Sequence, residues 1–380
     1  MSQQSFRRLG VSAPVVEALA ARNITQPFDI QERALPDVLS GLDVLVRSPT
    51  GSGKTLAFAL PIVERTEPAD GRPSALVLVP TRELAAQVTD EIGPLARARG
   101  LSVAPAYGGV PLRSQASRIK GAHVLVATPG RLEDLAMRRL VDLSRVRTFV
   151  LDEADRMLDM GFAPQINRLV AEIPSYRQTL LFSATMPPEV EALARKYLRK
   201  PVVVQVGRRS QAASTVSHAV YPVPRDRKSA LLACLLQQEK LDSVLVFTRT
   251  KHGADRVVRH LERERIEATA MHADKTQPQR TKALQDFKSG KVRVLVATDI
   301  AQRGLDISGI THVINYDVPQ QAEDYVHRIG RTGRAAHEGD AFTFMSPDEI
   351  AMVKSIERVI GQPIPRVSVA GYDFGTVAAD

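Results

Sequence analysis

Short apolar runs of strand length alternate along the chain with longer stretches in which apolar residues recur every third or fourth position. DVLVR, SALVLVP, AHVLVATP, TFVLDEAD and TLLFSAT form a first series, separated by turn residues and helix-like segments such as RELAAQVTDEI. The rhythm restarts with SVLVFT, VRVLVATD, THVINYD and DAFTFMS. Near-continuous apolar strands belong to sheets covered on both faces, which is the pattern of parallel α/β architecture. Two series predict two α/β lobes, joined by the polar, small and partly basic VGRRSQAASTV. The expected boundaries are a first lobe 1–205, a linker 206–216, a second lobe 217–368 and a frayed tail 369–380. No heptad or low-complexity tract interrupts this plan.

Composition narrows the partners. Over 380 residues, 44% hydrophobic content is enough for two cores. A net charge of +9 favours a polyanionic partner, nucleic acid first and an anionic membrane second. The single cysteine, Cys234 in LLACLLQQ, reads as a small core residue, so neither a disulfide framework nor a thiol metal site is expected. The N-terminus lacks the apolar stretch of a secretory signal, and no run approaches the roughly 20 residues that span a bilayer. A cytoplasmic protein is expected. With 5% aromatic residues and no tryptophan, a base-stacking platform is disfavoured, and a grip on the nucleic-acid backbone fits better.

Two motifs carry chemistry. SPTGSGKT, residues 48–55, fits the phosphate-loop spacing except that Ser48 replaces the first glycine. Across Pro49, Thr50, Gly51, Ser52 and Gly53 the glycines let backbone N–H groups turn toward phosphate oxygens, and the following helix adds its positive end. Lys54 would reach the terminal phosphates and Thr55 would offer a hydroxyl to Mg2+. In VLDEAD, Asp152 ends an apolar strand and would hold Mg2+ directly or through water, while Glu153 would deprotonate an attacking water. The bland readings are a chance Gly/Ser turn and an acidic surface turn; the two motifs together outweigh them.

The DEAD tetrad at Asp152–Asp155 resembles the signature of the DEAD-box RNA helicases, and the rest of that family's pattern follows in order. PTREL starts at Pro80, Gly108–Gly109 follow, TPGR starts at Thr128, and SAT lies at Ser183–Thr185. The second lobe carries VFTRT from Val246, QPQR at Gln277–Arg280, ATDIAQRGLD from Ala297 and HRIGRTGR from His327 to Arg334. The resemblance covers about residues 6–345, and the compact form is most similar to bacterial RhlE-type members.

The resemblance implies two tandem RecA-like domains, each a mainly parallel sheet flanked by helices, with an ATP cleft between them. It implies an ATP-dependent RNA helicase in which RNA-stimulated hydrolysis drives clamping, bending and local unwinding. Lys54, Asp152, Glu153 and the arginine fingers Arg331 and Arg334 would be catalytic. Gly304 and Asp306 would join the nucleotide contacts. Asp155, Ser183, Thr185, Asp299, His327 and Arg328 would couple the domains. RNA would meet Pro80, Thr81, Arg82, Gly108, Gly109, Thr128, Pro129, Gly130 and Arg131, then Thr248, Arg249, Gln277, Arg280, Thr298 and Arg303. Each is equally at home as a helix cap or turn, Thr81 and Thr128 above all.

The adenine-sensing segment departs from the family's Gly-aromatic-x-x-Pro-Thr-Pro-Ile-Gln. Here it reads NITQPFDIQ. Gln31 keeps the amide that matches adenine, and Phe6 keeps the upstream aromatic. Ile24 replaces the aromatic that would stack on the base, and Phe28 and Asp29 replace Thr and Pro. Weakened nucleotide affinity is the expectation. Ala273 is a smaller departure, where the family prefers glycine. Two rivals stay open: an ATP-dependent RNA clamp with little turnover, and a DNA translocase. A monomer is expected, and ribosome-assembly or RNA-decay complexes stay open as partners.

Overall fold

The computed structural model describes residues 5–48, 52–69, 73–206, 216–238, 241–299, 309–332 and 339–369, with the side chains of 238, 277, 323 and 327 apart. The chain divides into two units, Met1–Val206 and Gly207–Asp380. The proposed linker therefore lies almost wholly outside the described residues, as does the proposed tail beyond Val369.

The first unit is built on a seven-stranded sheet. Its strands are β1 (Val44–Arg47), β2 (Ala75–Leu78), β3 (Val103–Ala106), β4 (Val124–Ala127), β5 (Thr148–Leu151), β6 (Gln178–Ser183) and β7 (Val202–Gln205). They run in the order β3-β4-β2-β5-β6-β1-β7, and every pairing is parallel. The continuous apolar runs divide by alternation. Val44, Val46, Val77, Val126, Val150 and Phe182 face one core, while Leu76, Leu78, Leu125, Phe149 and Leu181 face the other. Phe58, from the helix Lys54–Arg65, meets Phe182 edge-on at 5.2 Å between ring centres. The helix that follows β1 is thus anchored by its apolar face.

The second unit repeats the plan with β8 (Val216–Pro222), β9 (Val244–Phe247), β10 (Ala268–Met271), β11 (Val294–Ala297), β12 (His312–Asn315) and β13 (Gly339–Met345). The order is β10-β11-β9-β12-β13-β8, again parallel throughout. β8 begins at Val216, the residue that the sequence pattern gave to the linker. Four strands fall outside the two series of apolar runs. β3 reads VAPA, β7 is an edge strand exposing Val203, β8 mixes polar and apolar positions, and β10 reads ATAM. No helix among the described residues is long and apolar enough to cross a membrane.

Candidate functional site

Parallel sheets present ligands at the carboxyl ends of their strands. In the first unit β5, β6 and β1 are neighbours, so their ends bring three motifs together. The Ser48 N–H donates to the Ser183 carbonyl at 3.1 Å, joining the loop after β1 to the turn after β6. Ser48, the departure in the phosphate loop, donates its hydroxyl to Ser52 Oγ at 2.6 Å. Lys54 is buried and its Nζ donates to the Ser48 carbonyl at 3.1 Å. Thr55 follows in the first turn of the helix Lys54–Arg65, where the positive end of the helix lies. Pro49, Thr50 and Gly51 lie outside the described residues.

Gly53 has to be glycine on two counts. Its φ is +85°, and a Cβ there would lie 2.5 Å from the Phe28 ring and 2.6 Å from Gln31 Nε2. Those two side chains flank the loop. Gln31 is 1% exposed, donates Nε2–H to the Gly53 carbonyl at 2.9 Å and accepts the Phe28 N–H at 3.0 Å. The amide that sequence reasoning gave to adenine is also a brace between the loop and the start of the helix Asp29–Leu39. Phe28 itself is 61% exposed. Ile24 packs partly buried against the core, and Phe6 lies inside that core. Burial leaves Phe6 no surface for a base, so its role is packing. Phe28, a departure from the family motif whose ring could replace the missing stack, is the aromatic surface beside the loop.

Burial pushes the Asp152 carboxyl up to about 7; Lys54 draws it down, Glu153 and Asp155 push it further up, and a bond from the Glu153 N–H lowers it. A carboxylate so placed gains from a cation. Glu153 is a non-glycine residue in the left-handed region, φ +53° and ψ +51°, at the start of the helix Ala154–Asp159. Asp155 accepts two bonds from Thr185 on Oδ2, from N–H at 2.9 Å and from Oγ1 at 2.8 Å. Ser183 Oγ donates to the Thr185 carbonyl at 2.7 Å and accepts the Asp155 N–H at 3.4 Å. The DEAD and SAT motifs are therefore one hydrogen-bonded clamp.

On the same unit Thr81 is the N-cap of the helix Arg82–Ala98, its hydroxyl accepting the Leu84 N–H at 3.3 Å. Arg82 lies against Gly108, where a Cβ would meet its guanidinium at 2.9 Å, and Gly109 has a φ of +87°. Thr128 precedes the helix Pro129–Met137, which carries Gly130 and Arg131. Arg131 Nη1 donates to the Val110 carbonyl at 2.8 Å and to Gln115 Oε1 at 3.1 Å. Gln115, buried in mid-helix, in turn donates to the Tyr107 carbonyl at 3.2 Å. No motif pointed to Gln115. Pro80 and Pro129 are buried, whereas Gly130 is exposed.

In the second unit Thr248 is fully buried and donates to the Thr250 carbonyl at 3.3 Å, which leaves it no surface for RNA in this conformation. The neighbouring Arg249 is partly exposed. Arg328 is also buried. It makes a two-bond pair with Asp299 at 2.7 Å each and donates Nη1 to Asn315 Oδ1 and the Asp317 carbonyl, with its guanidinium 4.9 Å from the Phe247 ring centre. The two residues expected to link the domains, Asp299 and Arg328, thus bind each other within one unit. Arg331 and Thr298 are buried, and Arg280 is partly buried on the helix Gln277–Lys288. Arg303, Gly304, Asp306, Arg334 and the side chains of Gln277 and His327 lie outside the described residues.

Two family models match the chain: the DEAD/DEAH box helicase over residues 28–193 and the helicase conserved C-terminal domain over residues 227–336. The chain is 40% identical over 370 residues to the DEAD-box ATP-dependent RNA helicase CshA of Geobacillus kaustophilus, covering 97% of this chain and 79% of that protein. The CshA helicase of Bacillus subtilis matches at the same identity, with 75% of its length covered. Among solved structures, S. cerevisiae Dbp5 bound to RNA and ADP BeF3 superposes with a TM-score of 0.89 at 30% identity, over 96% of this chain and 95% of that one.

Proposed function

The chain belongs to the DEAD-box family of ATP-dependent RNA helicases, and on that premise we propose how its residues divide the work. It is an RNA-stimulated ATPase that couples hydrolysis to RNA clamping and local unwinding. The observation that carries the assignment of residues is the convergence of Lys54, Asp152–Glu153 and the Asp155–Thr185 clamp at adjacent strand ends.

The triphosphate lies against the loop before Lys54, whose ammonium offsets phosphate charge. Glu153 takes a proton from the attacking water as the bond from the γ-phosphorus to its bridging oxygen breaks. Thr55 and Asp152 fit Mg2+, partly through water: both offer hard oxygen donors, and the carboxyl is held high by burial. When bound, that ion neutralises charge on the phosphate oxygens. Arg331 and Arg334 supply further positive charge to the transition state. The clamp ties the turn that carries Glu153 to the turn after β6, so a shift of one moves the other. Phe28, exposed beside Gly53, offers the base an apolar face that Ile24 does not.

RNA is held along its backbone by Arg82, the Gly108–Gly109 turn and Arg131 on the first unit and by Arg249 and Arg280 on the second. The enzyme works as a cytoplasmic monomer in this proposal. Steady-state ATPase assays with single-stranded RNA and with DNA of equal length test it. Strong stimulation by RNA alone is expected. Equal stimulation by both would favour a DNA translocase, and tight RNA binding without turnover would favour a passive clamp.

A further inference from the structure

Glu349 lies outside every motif, yet its carboxylate sits where the second unit's strands end. It follows β13 in SPDE and is 5% exposed. Oε2 accepts the Ser346 N–H at 3.1 Å and the Ser346 hydroxyl at 2.7 Å, which is the ordinary work of a capping-box glutamate. That work needs one oxygen. Oε2 also accepts Lys228 Nζ at 2.6 Å, and Lys228 is 1% exposed. Oε1 accepts Arg249 Nη2 at 3.2 Å and the Val318 N–H at 3.3 Å.

The remaining partners tighten the same arrangement. Lys228 donates a second bond to the Tyr316 carbonyl at 3.0 Å. Asp317 Oδ2 accepts the Arg249 backbone N–H at 2.8 Å, while Arg328 holds the Asp317 carbonyl. Arg249 is therefore fixed at its backbone by the loop after β12 and at its guanidinium by Glu349. Its side chain keeps 35% exposure. The charges also matter. Glu349 faces two cations, Lys228 and Arg249, and the Asp317 carboxylate lies at the Arg249 backbone, so the Arg249 guanidinium is held in place with part of its surface open to an anion outside.

We propose that Glu349, balanced by Lys228, is the positioning residue for Arg249, fixing its guanidinium at the strand-end edge of the second unit for an RNA phosphate. The inference rests on the reading of Arg249 as an RNA contact, and the test separates the two. A surface ion pair would do little. A buried carboxylate with five donors instead sets one rotamer of a long side chain that otherwise loses its entropy on binding.

The test measures binding of a fluorescent short single-stranded oligouridylate to the full chain by anisotropy over a KCl series. Arg249→Ala and Glu349→Gln are each expected to weaken RNA binding about fivefold to tenfold, roughly one contact's worth. Each is expected to lower the salt slope by about 1, as loss of one phosphate contact does. The double variant is expected to be no worse than either single, because both remove the same contact. Glu349→Gln leaves Lys228 without its counter-charge and can lose stability. Lys228→Met with Glu349→Leu keeps the volume and removes both charges, which buried pairs commonly tolerate. It is expected to show the same RNA defect in a folded protein. Parental RNA affinity and salt slope in that folded variant would overturn the proposal, as would additive losses in the double variant. An unchanged Arg249→Ala would overturn the RNA reading of Arg249 itself, and the positioning role with it.

Discussion

Glu153 accepts a proton only as a carboxylate, and its backbone is held in the left-handed region at the start of a helix. Glu153→Gln keeps the shape and loses the base. The expected outcome is near-parental affinity for ATP and RNA with hydrolysis lowered about 10²–10⁴-fold. Single-turnover phosphate release and RNA dissociation in ATP measure both; fast RNA release by the variant would break the link between hydrolysis and unclamping. The base pocket yields a second expectation. Phe28→Ala removes the exposed ring beside Gly53 and should weaken ATP several-fold, in line with about 1–3 kcal/mol for base–aromatic stacking. Ile24→Phe should give no gain in affinity and cost about 1–3 kcal/mol of stability, because position 24 packs against the core. Titration of a fluorescent ATP analogue and thermal melts separate the two. From the motif alone the opposite ranking follows, since a pattern of residue types carries no information about which side chain the fold leaves exposed.

At the scale of single elements, the strands buried on both faces were legible because four or more apolar residues in a row admit few other readings. β3 and β10 were not, because Pro105 interrupts VAPA and Thr269 interrupts ATAM, and the strands exist through pairing with β4 and β11. The loop motifs were legible as strings, but their connections were not. Asp155 meets Thr185, and Glu349 meets Lys228 and Arg249, across long separations that leave no spacing to read. Thr81 shows how cap and contact overlap. Thr81→Ala should cost about 1 kcal/mol through the lost cap of the helix Arg82–Ala98, and Thr81→Ser should restore it. If Thr81 also touches RNA, as the motif implies, Thr81→Ser should restore RNA affinity together with stability. The Lys228–Glu349 pair sets an acid limit for the second unit. Burial opposes the charge on Glu349, but Lys228 and the Ser346 bonds outweigh it and hold the carboxyl below its ordinary 4.5. Its stabilisation is thus present above the unfolded value and lost as pH falls through the lower folded one. Circular dichroism during acid titration should show the Lys228→Met, Glu349→Leu variant losing less stability than the parent between pH ~4.5 and lower values.

For the whole molecule, the division into two α/β units was legible because the strand rhythm stops and restarts. Hydrolysis is expected to need residues of both. Arg331→Ala should lower RNA-stimulated kcat by about 10³-fold or more while ATP affinity changes little, as for a charge that acts in the transition state. Stopped-flow ATPase and nucleotide titration read the two effects apart, and a loss confined to affinity would make Arg331 a ground-state contact. RNA affinity of the parent should fall steeply with salt, in keeping with a chain of net charge +9 that grips phosphates.

The order of the first sheet also fixes a schedule. β1, which leads into the phosphate loop, pairs with β6 and β7 and with no other strand. Both are made long after it, and at about 5–20 residues per second β1 waits on the order of ten seconds on the ribosome. The second unit repeats the delay, since β8, its first strand, pairs with β13, its last. A nascent chain therefore cannot capture nucleotide early and use it as a folding template. Strands β2 to β5 can pair before β6 is made, but β1 stays without a neighbour until then, so a stop shortly before residues 178–183 would release a chain whose phosphate loop follows an unpaired strand.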